Sequence, residues 1–99
     1  MATTFYKDPS DLTDYAIDWS AILDVGETIA TSAWAFYLMD RTPTADLVEE
    51  FSSNTTTVTR IFMSGGVENT RYIVDNTITT SDGRTLNRSF YLYVVNLYI

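Results

Sequence analysis

The chain has no cysteine and no histidine, a single lysine (Lys7), two prolines and four glycines among its 99 residues. Without cysteine there is neither a disulfide framework nor a thiolate metal site, so the fold must hold by packing and hydrogen bonding alone. Without histidine or cysteine the commonest general base and the best side-chain nucleophile are missing, and the scattered carboxylates are more simply solubilising groups; the chain is not expected to be an enzyme or to need a cofactor. No run approaches the roughly twenty apolar residues of a membrane span, and Met1-Ala2-Thr3-Thr4 lacks the basic and apolar regions of a signal peptide, so synthesis in a cytoplasm is expected. Basic charge is scarce too. Residues 1 to 50 hold ten acids against Lys7 and Arg41, a balance of -8, and the remainder holds Glu68, Asp75 and Asp82 against Arg60, Arg71, Arg84 and Arg88, a balance of +1. Such a surface repels phosphate backbones and anionic membranes, which argues against both as partners; unlike halves suit protein contact.

What is abundant points to pleated sheet. Sixteen Thr, seven Ile, seven Val and fourteen aromatic residues outnumber the strong helix formers, and 99 residues make one domain, residues 1–99, with a single core. From Tyr72, the side chains Tyr72, Val74, Asn76 and Ile78 alternate with Ile73, Asp75, Thr77 and Thr79, the period of two of a half-buried strand. Ser81-Asp82-Gly83-Arg84 then turns the chain, read as a two-residue primed turn centred on Asp82 and Gly83, and Phe90, Leu92 and Val94 return as a second strand's core face. Tyr72, at the head of its strand after Gly65-Gly66, stands where a tyrosine corner would, an ordinary core tyrosine being the alternative.

The rest of the chain fits around that hairpin. Residues 1–13, polar apart from Phe5, Tyr6 and Leu12, read as an extended N-terminal arm; Tyr15, Ile17 and Trp19 as one strand with Trp19 in the core; Thr28 to Leu38, with Trp34, as an inner or partly covered strand. Asp40 to Asn54 is ambiguous between a short helix begun at Thr42-Pro43 and an edge strand on Leu47, Glu49 and Phe51; the strand is preferred because so short a helix gains little without packing. Thr57 to Met63 alternates Val58, Arg60 and Phe62 against Thr59, Ile61 and Met63. The expectation is an all-β, immunoglobulin-like antiparallel sandwich of about seven strands with that arm, stabilised structurally by Trp19, Trp34, Tyr72 and Gly83. Asp8, Asp11, Asp14 and Asp18 lack the spacing and the glycine of a calcium loop, so no metal is expected. Tyr91, Tyr93 and Tyr98 flank the last strand's core face, a candidate patch for sugar or protein.

Lys7-Asp8-Pro9 with Asp14-Tyr15, then Asp18-Trp19, Gly26-Glu27-Thr28-Ile29, Ser32-Ala33-Trp34, Ser64-Gly65-Gly66, Tyr72, Asn76, Thr79-Thr80-Ser81 and Gly83-Arg84-Thr85, taken in order over nearly the whole chain, resembles the fibre-tail adaptors of tailed phages. Phe36 to Glu50, longer and more acidic, and the apolar end Val95 to Ile99 depart from that pattern. The resemblance implies an immunoglobulin-like fold and a non-enzymatic structural protein of the virion that joins tail or neck components by protein contact. A capsid decoration protein or a glycan-binding module is the competing class. Joined to the charge imbalance, it suggests a head-to-tail ring in which Phe5, Tyr6 and Leu12 of one copy meet Arg84 and Arg88 of the next.

Overall fold

Strand alternation decides which side chains can meet, and here it sorts the chain into two sheets facing each other across one core. The computed structural model describes residues 3–97. Seven strands follow in order: β1 (Thr4–Lys7), β2 (Thr13–Asp18), β3 (Ile29–Leu38), β4 (Leu47–Asn54), β5 (Val58–Gly65), β6 (Thr70–Thr80) and β7 (Thr85–Val94). One sheet has the order β1-β7-β6-β3 and the other β2-β5-β4, antiparallel throughout except for β1, which runs parallel to β7. This all-β, seven-strand, two-sheet arrangement is compatible with an immunoglobulin-like sandwich. The ambiguous segment forms strand β4, with a bulge between Glu49 and Phe51 that bends a sheet edge. Strand β3 is an edge, not an inner strand; residues 42–44 cover its free side near Tyr37 through Leu38 N–H to Thr42 O and Thr44 N–H to Phe36 O.

In β6 and β7 the inward residues are those whose period pointed inward, whereas in β4 the bulge buries Leu47 and turns Phe51 out. Leu47, Ile61, Met63, Tyr72, Val74, Phe90, Leu92 and Val94 form the main core.

 The second cluster is Trp19, Ile29 and Ile78. The seam that joins it to the first centres on Trp19, Thr59 and Asn76, all completely buried. The Trp19 indole N–H donates to Thr59 Oγ1 (3.1 Å) and Asn76 Oδ1 (3.2 Å), the Thr59 hydroxyl donates to Asn76 Oδ1 (2.6 Å), and Asn76 Nδ2 donates to Ser32 Oγ (2.9 Å) and Ala33 O (3.0 Å). Both donors and both acceptor positions of one amide are used, which is what makes a polar group affordable in an apolar interior. Trp34 packs against the main core, with its indole N–H buried and unpartnered among the described residues.

Tyr72 is completely buried at the head of β6; its hydroxyl accepts from Val67 N–H (2.8 Å), five residues upstream, and donates to Asp46 Oδ2 (3.0 Å). That is tyrosine-corner geometry. Gly66, at φ 99°, sits beside it where a Cβ would come within 2.7 Å of Val94 Cγ2.

Two expectations need correcting. Residues 4–7 are not a free arm: β1 is a strand of the chain's own sandwich, with Phe5 between the rings of Tyr15 (5.3 Å) and Phe90 (5.1 Å). Lys7 is fully buried, its ammonium donating to Asp8 O (2.9 Å) and Gly65 O (2.7 Å) and so tying β1 to the end of β5. Sequence reading missed this because a four-residue strand is too short to show a period, and its one buried charge looks polar. The hairpin turn also differs: only Gly83 has positive φ, Gly83 N–H closes on Thr80 O, and a four-residue connection replaces the two-residue turn. The Thr80 hydroxyl accepts from the N–H groups of Asp82 and Arg84, satisfying donors that a tighter turn would have paired across the strands. The Tyr98 reading lies outside the described residues.

Asn76→Ala strips the acceptor from two buried donors and the donor from Ser32 Oγ and Ala33 O, and is expected to cost about 2–4 kcal/mol, against about 1–2 kcal/mol for Tyr72→Phe. Urea denaturation midpoints check the order; equal and negligible losses would mean that neither hydrogen-bond set is structural.

Candidate interaction surface

The outward positions of the four-stranded sheet carry an unusual set of side chains. Register places Tyr6 beside Tyr93 and Tyr93 beside Arg71, and in the next rows Thr4, Tyr91, Ile73 and Tyr37, so residues far apart in sequence share one face. Tyr6 and Tyr93 rings lie 6.1 Å apart, the Arg71 guanidinium stands 4.9 Å over the Tyr93 ring, and Arg41 stands 4.7 Å over Tyr37. Tyr6 is 59% exposed and Tyr91 37%. Beneath them Ile73 and Asp75 are buried, although they point away from the core. Arg41, at φ 70° in the 39–42 turn, bonds Asp75 Oδ2 at 3.0 Å, while Asp75 Oδ1 is buried with no partner among the described residues. Tyrosine and arginine held by stacking lose little freedom when covered, and an acceptor left without a partner favours a donor brought by another molecule.

The opposite outer face is different. Asp14, Asp18 and Glu50 line it with Arg60 as the basic group, Asp14 and Arg60 are ion-paired, and Phe51 and Phe62 stack at 6.0 Å on the β4 side. Phe51 is 60% exposed. One face is therefore tyrosine and arginine, the other acidic with an aromatic pair.

The residues singled out from sequence do not form one site. Tyr6 lies on the tyrosine and arginine face, and Leu12 is exposed in the loop before β2. Phe5 is inside the sandwich. Arg88 leans over the Trp19 ring (5.8 Å) and donates to Asn87 O (2.7 Å). Arg84 is held by the buried Glu27 through Nε (2.9 Å) and Nη2, and it also donates to Ile22 O (3.3 Å). Glu27 in turn accepts from Thr80 Oγ1 (2.5 Å) and Asp24 N–H (2.9 Å). Three of the four acids weighed for calcium go separate ways: Asp8 accepts from Ser10 and Leu97, Asp14 meets Arg60, Asp18 caps Ser20. A different trio, Asp24, Glu27 and Asp82, brings oxygens within 4.8 Å, but Arg84 is its counter-charge. Tyr37, Arg41 and Arg71 were missed as surface residues; the signal was the shared parity of Arg71, Ile73, Tyr91 and Tyr93, legible only with the strand register in hand.

With that geometry established, comparison with known proteins gives one family. A family model described as "Podophage GP4 fiber-tail adaptor protein gp77" matches residues 7–93. No curated protein matches the chain.

The clasp around Glu27 yields a pH prediction. Hydrogen bonds from Arg84, then Asp24 N–H and Thr80, pull the Glu27 carboxyl from 4.5 down to about 2. A carboxyl depressed in the folded state stabilises above its unfolded value, and that contribution is lost as pH falls through the folded one. Stability should therefore drop between about pH 4.5 and pH 2, and Glu27→Gln should flatten that part of the profile. Urea midpoints measured across this range check it; a mutant profile parallel to that of the unaltered chain would show that Glu27 does not govern the acid limb.

Proposed function

Because this chain belongs to the podophage GP4 fiber-tail adaptor protein family, shown by a family match over residues 7–93, we propose that it joins tail and fibre components of the virion by protein contact, without catalysis, through the tyrosine and arginine face of its four-stranded sheet. The observation that carries this reading is the packed set Tyr6, Tyr93 and Arg71, with Tyr91 and Tyr37 beside it, Tyr6, Tyr91 and Arg71 exposed and Tyr93 and Tyr37 half-buried, over buried Ile73 and Asp75. Tyrosine and arginine are the residue types that dominate the energetics of protein interfaces, and a rigid sheet presents them at little entropic cost.

The same contrast of faces supports association of copies in a ring. The acidic face of β2-β5-β4 on one copy complements Arg41 and Arg71 on the next, and unlike surfaces meeting by rotation close on themselves. Tyr6 and Leu12 extend that contact. Phe5 and Arg84, engaged within the chain, serve it only by holding the framework.

The test is the double variant Tyr93→Ala with Arg71→Ala, which leaves every inward residue in place. It should melt within a few degrees of the unaltered chain and enter virions at least about 10-fold less, the worth of one modest hot spot. Normal incorporation with normal stability would move the contact to another surface.

A further inference from the structure

Strand β1 covers only part of its neighbour. It pairs with Tyr91 to Val94 of β7, and among the described residues the last bond of that pairing is Tyr91 N–H donating to Thr3 O (2.8 Å). Successive residues of a strand direct their backbone groups to opposite sides. Tyr91 and Val95 donate toward β1, whereas the carbonyls of Arg84 and Val94 accept from Thr80 and Asn69 on the β6 side. Thr85, Asn87 and Ser89 must then aim their N–H and C=O groups at the side of β7 away from β6, where the described residues supply no strand. Arg88 occupies the Asn87 carbonyl, and among the described residues no strand pairs with the other groups on that side.

Beside this edge the two sheets part. A groove of about 270 Å³ opens between them, with Phe5, Ile17, Ile22 and Phe90 as its apolar lining and Asp18 and Arg88 at its polar rim. The open edge and the groove run along the same half of β7, so a strand laid on the edge would turn every second side chain into the groove.

We propose that this half of β7 is a strand-acceptor site, filled by an extended segment of another protein of the virion. The segment pairs with Thr85, Asn87 and Ser89, places apolar side chains at alternate positions in the groove, and carries a carboxylate toward Arg88. Main-chain hydrogen bonds supply the affinity in this mode, and the alternate side-chain pockets supply the choice of partner. The acidic residue is matched to Arg88, the one formal charge on β7; the acid on the same rim, Asp18, already accepts from Ser20 N–H. Only the source of the segment, another virion protein, rests on the adaptor reading; the acceptor geometry stands apart from the tyrosine and arginine face.

The test uses Asn87→Pro. Proline removes an N–H that faces the open edge and leaves the β6 ladder intact. Asn87→Ala is the control, because it loses the side-chain bond to Thr77 Oγ1 but keeps the backbone donor. The proline variant should melt near the alanine variant and enter virions at least about 10-fold less than it, the worth of one to two edge hydrogen bonds. In parallel, hydrogen exchange at Thr85, Asn87 and Ser89 should slow about 100-fold or more between the isolated chain and assembled tails, as expected when open amides become paired. That second measurement decides the matter if the proline variant fails to fold. Incorporation of a folded Asn87→Pro chain at the alanine level, or unchanged exchange at all three amides, overturns the proposal. Loss of incorporation on Tyr93→Ala with Arg71→Ala but not on Asn87→Pro would leave the face reading standing and remove this one; the reverse pattern would do the opposite.

Discussion

Two sheets that share no disulfide must be held against sliding by something directional, since apolar packing tolerates many offsets of one layer over another. Here the constraint is a single buried amide. Asn76, on β6, receives the Trp19 indole and the Thr59 hydroxyl from the opposite sheet and its approach, while its own N–H₂ reaches Ser32 and Ala33 on β3. Any slip of one sheet over the other breaks both bonds that cross between them, from Trp19 and from Thr59, where no water can replace them, so the penalty for a wrong register is steep. The apolar clusters on either side of the seam provide the bulk of the burial, and the seam fixes where it happens.

The ends of the sandwich are closed by comparable devices. Tyr72 joins the β5–β6 connection to Asp46, Lys7 joins β1 to Gly65, and Glu27 joins the β2–β3 connection to the β6–β7 turn through Thr80 and Arg84. In each case a polar group is buried and given partners from segments distant in sequence. The result is a frame rigid enough to hold outward side chains of β1, β7, β6 and β3 in one fixed array.

How much of this could be read from the sequence depended on whether the signal was local. Alternation in Thr57 to Met63 and in Tyr72 to Thr79 is a property of neighbouring residues, and the inward sets of β5 and β6 follow it; Tyr72 was likewise marked by its place after Gly65-Gly66. Segment β1 carried no local signal, because its burial comes from pairing with β7, which lies more than eighty residues away. The same holds for Arg84, which looked like a surface cation and is in fact the partner of a buried carboxylate, and for the tyrosine and arginine face, whose members come from four strands. Charge imbalance along the chain was visible early, but its translation into one acidic and one tyrosine and arginine face required the sheet order.

On the proposed function, this frame presents that face to another protein. A reconstruction of the assembled tail at side-chain resolution tests this most directly. It should show Tyr6, Arg71, Tyr91 and Tyr93 buried against a neighbouring protein, with a donor brought to Asp75 Oδ1. A tail in which those four residues stand in solvent, and the contacts lie elsewhere on the chain, would contradict it.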